Sequence, residues 1–103
     1  MSPPELAALA LEQAALLEGV EVNATDGGLE LGLDGELFAS VSKGVVELCL
    51  RPEVATAALR TPDVAPSPRG PGWVRFEPPV LDGFARDRVT AWLESAWRLI
   101  NEG

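Results

Sequence analysis

The chain contains no histidine and no tyrosine among its 103 residues, and it has one cysteine, Cys49. Without histidine it lacks the most frequent general base, the commonest metal ligand and the base of most nucleophile-activating arrangements. A single cysteine excludes an internal disulfide and is typical of a reducing compartment. These absences favour a non-enzymatic protein, and we predict no catalytic residue, no metal site and no cofactor.

Basic residues are also missing from the first part of the chain. Residues 1–42 hold eight of the 16 acidic residues and no Lys or Arg, whereas residues 43–103 hold the other eight acids and all eight bases. An acidic half repels phosphate groups, which lowers the expectation of nucleic-acid binding. The simplest role of these acids is to keep the protein in solution.

Long apolar runs are absent too, since no stretch approaches the roughly 20 residues that a membrane helix needs. The alanine-rich N-terminus has no cationic leader and is not expected to be a signal peptide. With 47% hydrophobic and 23% charged residues the composition is that of a globular protein. We therefore predict a single domain over residues 1–103, located in the cytoplasm and without a membrane contact.

Four short apolar runs lie between Val20 and Leu50, and three turn-forming segments separate them, which predicts a four-stranded antiparallel meander. The first two runs alternate apolar and polar residues, so one face of each is expected to be buried, with Val20, Val22, Ala24, Leu29, Leu31 and Leu33 inside. The third and fourth runs do not alternate cleanly, since Phe38 lies between two apolar residues and Cys49 is out of phase with its neighbours. Strands apolar on both sides are usually central, or covered by a partner chain.

The segments around the meander predict helices. At the N-terminus, Ser2, Pro3 and Glu5 have the spacing of a helix cap, and Gly19 is placed to end the helix. Its predicted apolar face consists of Leu6, Leu9, Ala10, Gln13, Leu16 and Leu17.

The second half of the chain begins with a short helix at Arg51-Pro52-Glu53. The segment Thr61–Gly72 contains four prolines and predicts one long loop, and Trp73–Glu77 predicts a fifth strand. A last helix is expected from a cap at Asp82 to about Ile100, with one apolar stripe formed by Val89, Trp92, Leu93, Ala96, Trp97 and Ile100. The predicted fold class is α+β, with the helices on one face of the sheet.

The candidate ligand-binding residues are Arg69, Trp73 and Arg75, with Arg51 as a fourth. Trp73 and Arg75 share one face of a strand, and an arginine beside an indole can bind an anionic or planar ligand. The alternative is that Trp73 packs under the terminal helix beside Trp92 and Trp97. Two interpretations also stand for Cys49: Arg51 lowers the pKa of its thiol, or the cysteine is a small core residue.

The order of elements resembles the MmcQ/YjbR family of small bacterial proteins. The resemblance rests on short segments spread over most of the chain: Leu37-Phe38-Ala39, Leu48-Cys49-Leu50-Arg51-Pro52-Glu53, Val64-Ala65-Pro66, Gly72-Trp73-Val74 and Trp97-Arg98-Leu99-Ile100. The chain is also similar to an uncharacterised "luciferase domain" family, whose characteristic histidines are missing here.

The MmcQ/YjbR resemblance implies a compact α+β fold similar to frataxin-type sandwiches and to a double-wing DNA-binding motif. The family's loop before the Gly-Trp pair bears lysine and histidine, and here it bears Arg69 alone. Iron binding of the frataxin kind would use the acidic first helix, but Glu5, Glu12 and Glu18 do not share one face closely.

Two functions follow as predictions. The first is a non-enzymatic interaction module that binds a protein, or a second copy of itself, through the sheet. The alternative is a DNA-binding protein in which Arg51, Arg60, Arg69 and Arg75 form one patch.

Overall fold

The computed structural model describes residues 5–102, within which three helices and six strands form an α+β fold. In chain order the elements are α1 (Glu5–Leu16), β1 (Glu21–Thr25), β2 (Gly28–Leu33), β3 (Glu36–Ser42), β4 (Val45–Cys49), α2 (Pro52–Ala58), β5 (Val64–Pro66), β6 (Trp73–Phe76) and α3 (Gly83–Glu102). The predicted fold class is confirmed. The predicted cap at Ser2 and Pro3 lies outside the described residues.

The sheet is antiparallel throughout, in the order β1-β2-β3-β4-β6-β5. The predicted four-stranded meander is confirmed. Two of its turns have positive φ at both residues. The angles are 52° and 82° at Asp34-Gly35 and 52° and 80° at Lys43-Gly44. These are the values of the type I′ turn, whose twist matches that of the strands it joins.

Two rows of paired residues cross the sheet and form the floor of the core. Because directly opposite residues of an antiparallel sheet share a face, the pairing defines the rows Ala24-Leu29-Val41-Val46-Phe76-Val64 and Val22-Leu31-Ala39-Leu48-Val74-Pro66. Their central members are buried. Helix α1 packs on β1–β3, α3 on β2–β4, and α2 contacts β6, with Ala55 and Ala58 in the same core.

Phe38 is fully buried because of a bulge in β3. Leu31 pairs with Ala39 and Gly32 pairs with Leu37, so that Phe38 has no partner on β2. A bulge sets two residues against one and interrupts the alternation of side chains. Phe38 can therefore join the core beside Ala39, and this explains the out-of-phase apolar residue of the third strand.

The terminal helix is fixed at both ends. The side chain of Asp82 accepts a hydrogen bond from the Ala85 N–H (2.9 Å), which confirms the predicted cap. Trp92 packs edge-on against Phe76 at 5.3 Å between ring centres. Near the other end, the indole N–H of Trp97 donates to the Glu18 carbonyl (2.9 Å) and ties α3 to the connection between α1 and β1.

Three apolar positions predicted to be buried, Leu16, Val22 and Ala24, are exposed. Leu16 is 77% exposed at the end of α1, and Val22 is 44% exposed on β1. All five residues of β1 are exposed, because the strand lies at the edge of the sheet, where the helices do not reach far enough to cover it.

We predicted one long loop over Thr61–Gly72. This prediction is wrong, because the segment contains the edge strand β5. Two backbone hydrogen bonds flank the strand. The Glu77 N–H donates to the Asp63 carbonyl (3.0 Å), and the Ser67 N–H donates to the Trp73 carbonyl (3.0 Å). Hydrogen-bonded pairs alternate along an antiparallel ladder, so the nitrogen of Pro66 points away from β6. Because β5 lies at the edge of the sheet, a proline at this position removes no hydrogen bond of the ladder. This is why the segment can form a strand.

Candidate functional site on the helix-free face of the sheet

None of the three helices described within residues 5–102 covers the second face of the sheet, which we call the helix-free face. One row of paired residues crosses it, and its members on five of the six strands are polar, with alanine on the edge strand β5: Asn23, Glu30, Ser40, Glu47, Arg75 and Ala65. Cys49 pairs with Trp73 on the same face, two residues from Glu47 and Arg75 along their strands. This face is thus polar where the opposite face is apolar.

The loop between β5 and β6 is anchored to the centre of this face by Glu47. Ser67 Oγ donates to Glu47 Oε2 (2.6 Å) and Arg69 Nε donates to Glu47 Oε1 (3.0 Å). The N–H of Arg69 also donates to Ser67 Oγ (3.2 Å). With both of its oxygens engaged, Glu47 holds the loop in one position.

The indole of Trp73 supports the same loop. The Arg69 guanidinium carbon lies 5.3 Å from the centre of the Trp73 ring, within the range of a cation–π interaction. At the base of the loop, Gly72 has φ +83° and a Cβ there would lie 3.0 Å from the Leu50 carbonyl oxygen. The Gly72 carbonyl accepts a hydrogen bond from Leu50 N–H (2.8 Å), which fixes where the loop rejoins the sheet.

Three of the four predicted ligand-binding residues come together on the helix-free face. Arg69, Trp73 and Arg75 lie beside one another, but Arg51 does not join them, because its guanidinium pairs with Glu102 at the end of α3. The alternative that Trp73 packs under the terminal helix is wrong. Trp73 is half-buried on the face opposite the helices, and Phe76 is the partner of Trp92.

Sequence analysis missed Glu47 and Ser67, the residues that organise this cluster. The alternation of Val45, Glu47 and Cys49 places Glu47 on one side of β4, but it gives no indication of which strand lies next to it. β6 is more than 20 residues away in the chain, and only the register Glu47–Arg75 brings the two charges together. A central glutamate in a strand otherwise apolar on both sides is the one signal that the sequence offers.

The pKa of the Glu47 carboxyl is lowered from its ordinary value. Burial acts in the opposite direction and is the largest single influence, but the hydrogen bonds from Ser67 and Arg69 and the charges of Arg69 and Arg75 together outweigh it. A carboxyl whose pKa is lower in the folded than in the unfolded protein stabilises the fold above the unfolded pKa. That contribution is lost as the pH falls through the folded pKa.

The substitution Glu47→Gln is expected to lower the free energy of unfolding by about 1–2 kcal/mol at pH 7, since it removes the charge from two charge-assisted hydrogen bonds. The difference from the wild type should shrink as the pH falls below the unfolded pKa of a glutamate, about 4.3, and disappear below the lowered folded pKa, where the wild-type carboxyl is also neutral. Urea unfolding followed by tryptophan fluorescence at a series of pH values measures both effects. Glu12→Gln, on the exposed side of α1, is the control. An equal loss of stability at pH 7 and pH 3 would contradict the assigned role of the charge.

Arg75 remains the most available cation of the cluster. It lies 3.6 Å from Glu77, and both side chains are well exposed (40% and 59%), so the pair contributes little. Beside it, an open groove of about 610 Å³ runs between the β3–β4 turn and the β5–β6 loop. Residues that line it include Lys43, Val45, Pro66, Pro68 and Arg75.

Cys49 does not have the environment of a reactive thiol. Burial, and secondarily the negative charge of Glu36, raise its pKa, so the thiol stays protonated at neutral pH. Arg51, which the sequence offered as an activating cation, is engaged with Glu102 instead. Within residues 5–102 no group of three Cys, Asp or Glu side chains is arranged to hold a metal ion.

Three of the four arginines of the predicted DNA-binding patch are placed beside acidic groups, and the fourth, Arg60, is exposed just after α2. Arg51 pairs with Glu102, Arg69 with Glu47 and Arg75 with Glu77. A phosphate backbone would have to compete with these carboxylates, and this arrangement does not favour the nucleic-acid alternative. In the described part of the chain no helix is both long and apolar enough to cross a membrane.

A scan against protein-family models, a search of curated proteins and a search of solved structures each found no match to the chain. The resemblance to MmcQ/YjbR proteins therefore stays a prediction, and the function has to be argued from the geometry of the helix-free face.

Proposed function

We propose that this protein is a non-enzymatic interaction module that self-associates through the helix-free face of its sheet. The observation that carries the proposal is the polar row from β1 to β6, in which opposite charges occupy mirrored places. Glu30 lies on β2, second from one edge, and Arg75 lies on β6, second from the other edge. The central Glu47 is already balanced by Arg69.

A two-fold axis parallel to the strands, passing between β3 and β4, pairs this row with itself in reverse order. Such an axis places β2 of one copy over β6 of the other, so that each Glu30 faces the Arg75 of the partner subunit. Every contact then occurs twice, as in the isologous interfaces of two-fold dimers. Sheets that pack face to face lie about 10 Å apart, which two long side chains of opposite charge can span.

The charge of the row also supports self-association in a protein whose net charge is −8. With Arg69 included, the row holds two carboxylates and two guanidinium groups and is neutral. The two opposed rows therefore add no net repulsion of their own between two acidic copies. A face of this kind gives orientation and specificity more than affinity.

The expected dimer is weak. Six strands about 4.8 Å apart make a face roughly 24 Å wide, and strands of three to seven residues make it roughly 10–20 Å long. The resulting area of roughly 240–480 Å² is below the roughly 800 Å² per partner of standard interfaces, which predicts a dissociation constant in the micromolar range or weaker.

A charge-swap experiment tests the proposal. Arg75→Glu turns both attractive pairs into pairs of carboxylates, and we expect it to weaken the dimer at least about tenfold. The double variant Glu30→Arg/Arg75→Glu restores opposite charges in exchanged places and should recover most of the affinity. Sedimentation equilibrium over a wide concentration range measures the dissociation constant of each variant.

Arg86→Glu is the matched control, because it makes the same change of charge on the exposed side of α3. It reports how much the extra negative charge weakens association by general repulsion, and we expect about twofold or less. A wild-type protein that stays monomeric at millimolar concentration would overturn self-association. Equal weakening by Arg75→Glu and Arg86→Glu, without recovery in the double variant, would exclude the helix-free face.

A further inference from the structure

The two edges of the sheet differ in how they are protected. β5 has three residues, ends in Pro66 and is followed by Pro68, features that block pairing with another strand. β1 has five residues, contains no proline, lysine or arginine, and pairs with β2 in an unbroken register. All five of its residues are exposed. β1 is therefore the edge of this sheet that is open to a further strand.

The backbone groups that point outward from β1 can be identified from its turn. Thr25 and Gly28 flank the two-residue turn that joins β1 to β2, and such flanking residues form a hydrogen-bonded pair. Bonded pairs alternate along the ladder, so Asn23 and Glu21 are also directed at β2. The N–H and C=O groups of Val22 and Ala24 consequently face the free edge, where they have no ladder partner among the described residues.

The side chains of β1 indicate what an added strand would carry. On the helix side, Val22 and Ala24 continue the apolar rows of Leu31 and Leu29, yet both are exposed. On the helix-free side, Glu21 and Glu30 lie close to the edge, in a half of the chain that has no Lys or Arg before Lys43. The matching segment has apolar residues at alternate positions and basic residues between them.

We propose that β1 binds an extended basic segment of a partner protein by β-strand addition. Main-chain hydrogen bonds to Val22 and Ala24 supply the pairing, apolar side chains of the segment cover these two residues, and its lysines or arginines face Glu21 and Glu30. This site shares Glu30 with the proposed self-association of the helix-free face, and Arg75→Glu, which disrupts the dimer and leaves β1 unchanged, tests the two separately.

The test uses a synthetic heptapeptide that alternates lysine and valine, titrated into the isotopically labelled protein. We expect chemical-shift changes centred on residues 20–26 and slower hydrogen exchange at the amides of Val22 and Ala24, the two that gain a hydrogen bond. A heptapeptide that alternates glutamate and valine should not bind. Shifts dispersed over the whole acidic surface, or an equal response to the acidic peptide, would overturn the proposal.

Ala24→Pro is the blocking variant, because it removes an outward N–H without removing a bond to β2. It should weaken peptide binding at least about tenfold. If the proline disturbs the fold, Val22→Lys blocks the same edge by charge and should have the same effect. Undiminished binding by a folded blocking variant would exclude β1 as the site.

The matched variants Glu21→Gln and Glu53→Gln each remove one negative charge. A difference between them therefore separates attraction of the peptide to β1 from its general attraction to an acidic protein. Glu21→Gln should weaken binding about two- to fivefold and Glu53→Gln, on α2, by less than twofold. The titration is repeated with Arg75→Glu. Retained binding there identifies an edge site that does not depend on the dimer, whereas loss of binding would mean that the peptide binds only the dimer and would overturn a site on β1 alone.

Discussion

Gly28→Ala is expected to destabilise the protein by about 2–4 kcal/mol, although it adds a single methyl group. Gly28 begins β2 and pairs with Ser42 of β3. A Cβ at this position would lie 1.8 Å from the Val41 carbonyl oxygen and 2.9 Å from the Ser42 Cα. Both atoms belong to the backbone, so no side-chain rotation can relieve the clash, and β2 and β3 would have to separate.

The measurement is a thermal or urea unfolding curve. For a domain of this size a loss of 2–4 kcal/mol corresponds to a fall in Tm of roughly 10–25 °C. Gly83→Ala is the matched control: a Cβ there meets nothing within 4 Å, and an alanine in the first turn of α3 should leave stability unchanged or raise it slightly. A Tm for Gly28→Ala within a few degrees of the wild type would contradict the close approach of the two strands.

Phe38→Ala is expected to have the other large effect, a loss of about 3–5 kcal/mol. Phe38 is fully buried and is among the largest side chains in the core. Its removal takes away a large apolar side chain and leaves a cavity below α1 and α3, which contact β3. Because the free energy of unfolding of a natural domain is about 5–15 kcal/mol, this single change can leave a substantial unfolded fraction.

Phe84→Ala provides the comparison, since it is the same substitution at a side chain that is 74% exposed. It should change the free energy of unfolding by less than about 0.5 kcal/mol. Urea unfolding of both variants, followed by circular dichroism, measures the difference directly. Similar losses in the two variants would show that the β3 bulge does not direct Phe38 into the core.

The local features of this chain were readable from its sequence because they depend on neighbouring residues. The Asp-Gly and Lys-Gly turns, the cap at Asp82 and the apolar stripe around Val89 and Leu93 all formed where the pattern predicts them. Each is decided by backbone conformation or by a side chain within four residues. The sequence alone therefore determined the meander, the terminal helix and the α+β class.

The errors arose where distant parts of the chain decide the outcome. Val22 has the alternation of a buried strand residue, but its strand lies at an edge that the helices do not cover. Pro66 argues against a strand until its position at the opposite edge is known. The burial of Phe38 does not fit the alternation of side chains along β3 until the bulge is known.

The candidate site shows the same division. Arg69, Trp73 and Arg75 were identified because they are close in sequence, whereas Glu47 and Ser67 were not. Ion pairs and cation–π contacts act over a few ångströms. Strand register decides which groups come that close. The sequence by itself determined every element except β5, together with a cationic, aromatic segment. Only the tertiary structure decided that Glu47 binds this segment, that Arg51 is held elsewhere by Glu102, and that, among residues 5–102, no helix covers one face of the sheet and no strand pairs with the outer side of β1. The reason is physical: turns and caps are short-range, whereas burial and charge pairing depend on contacts across the whole fold.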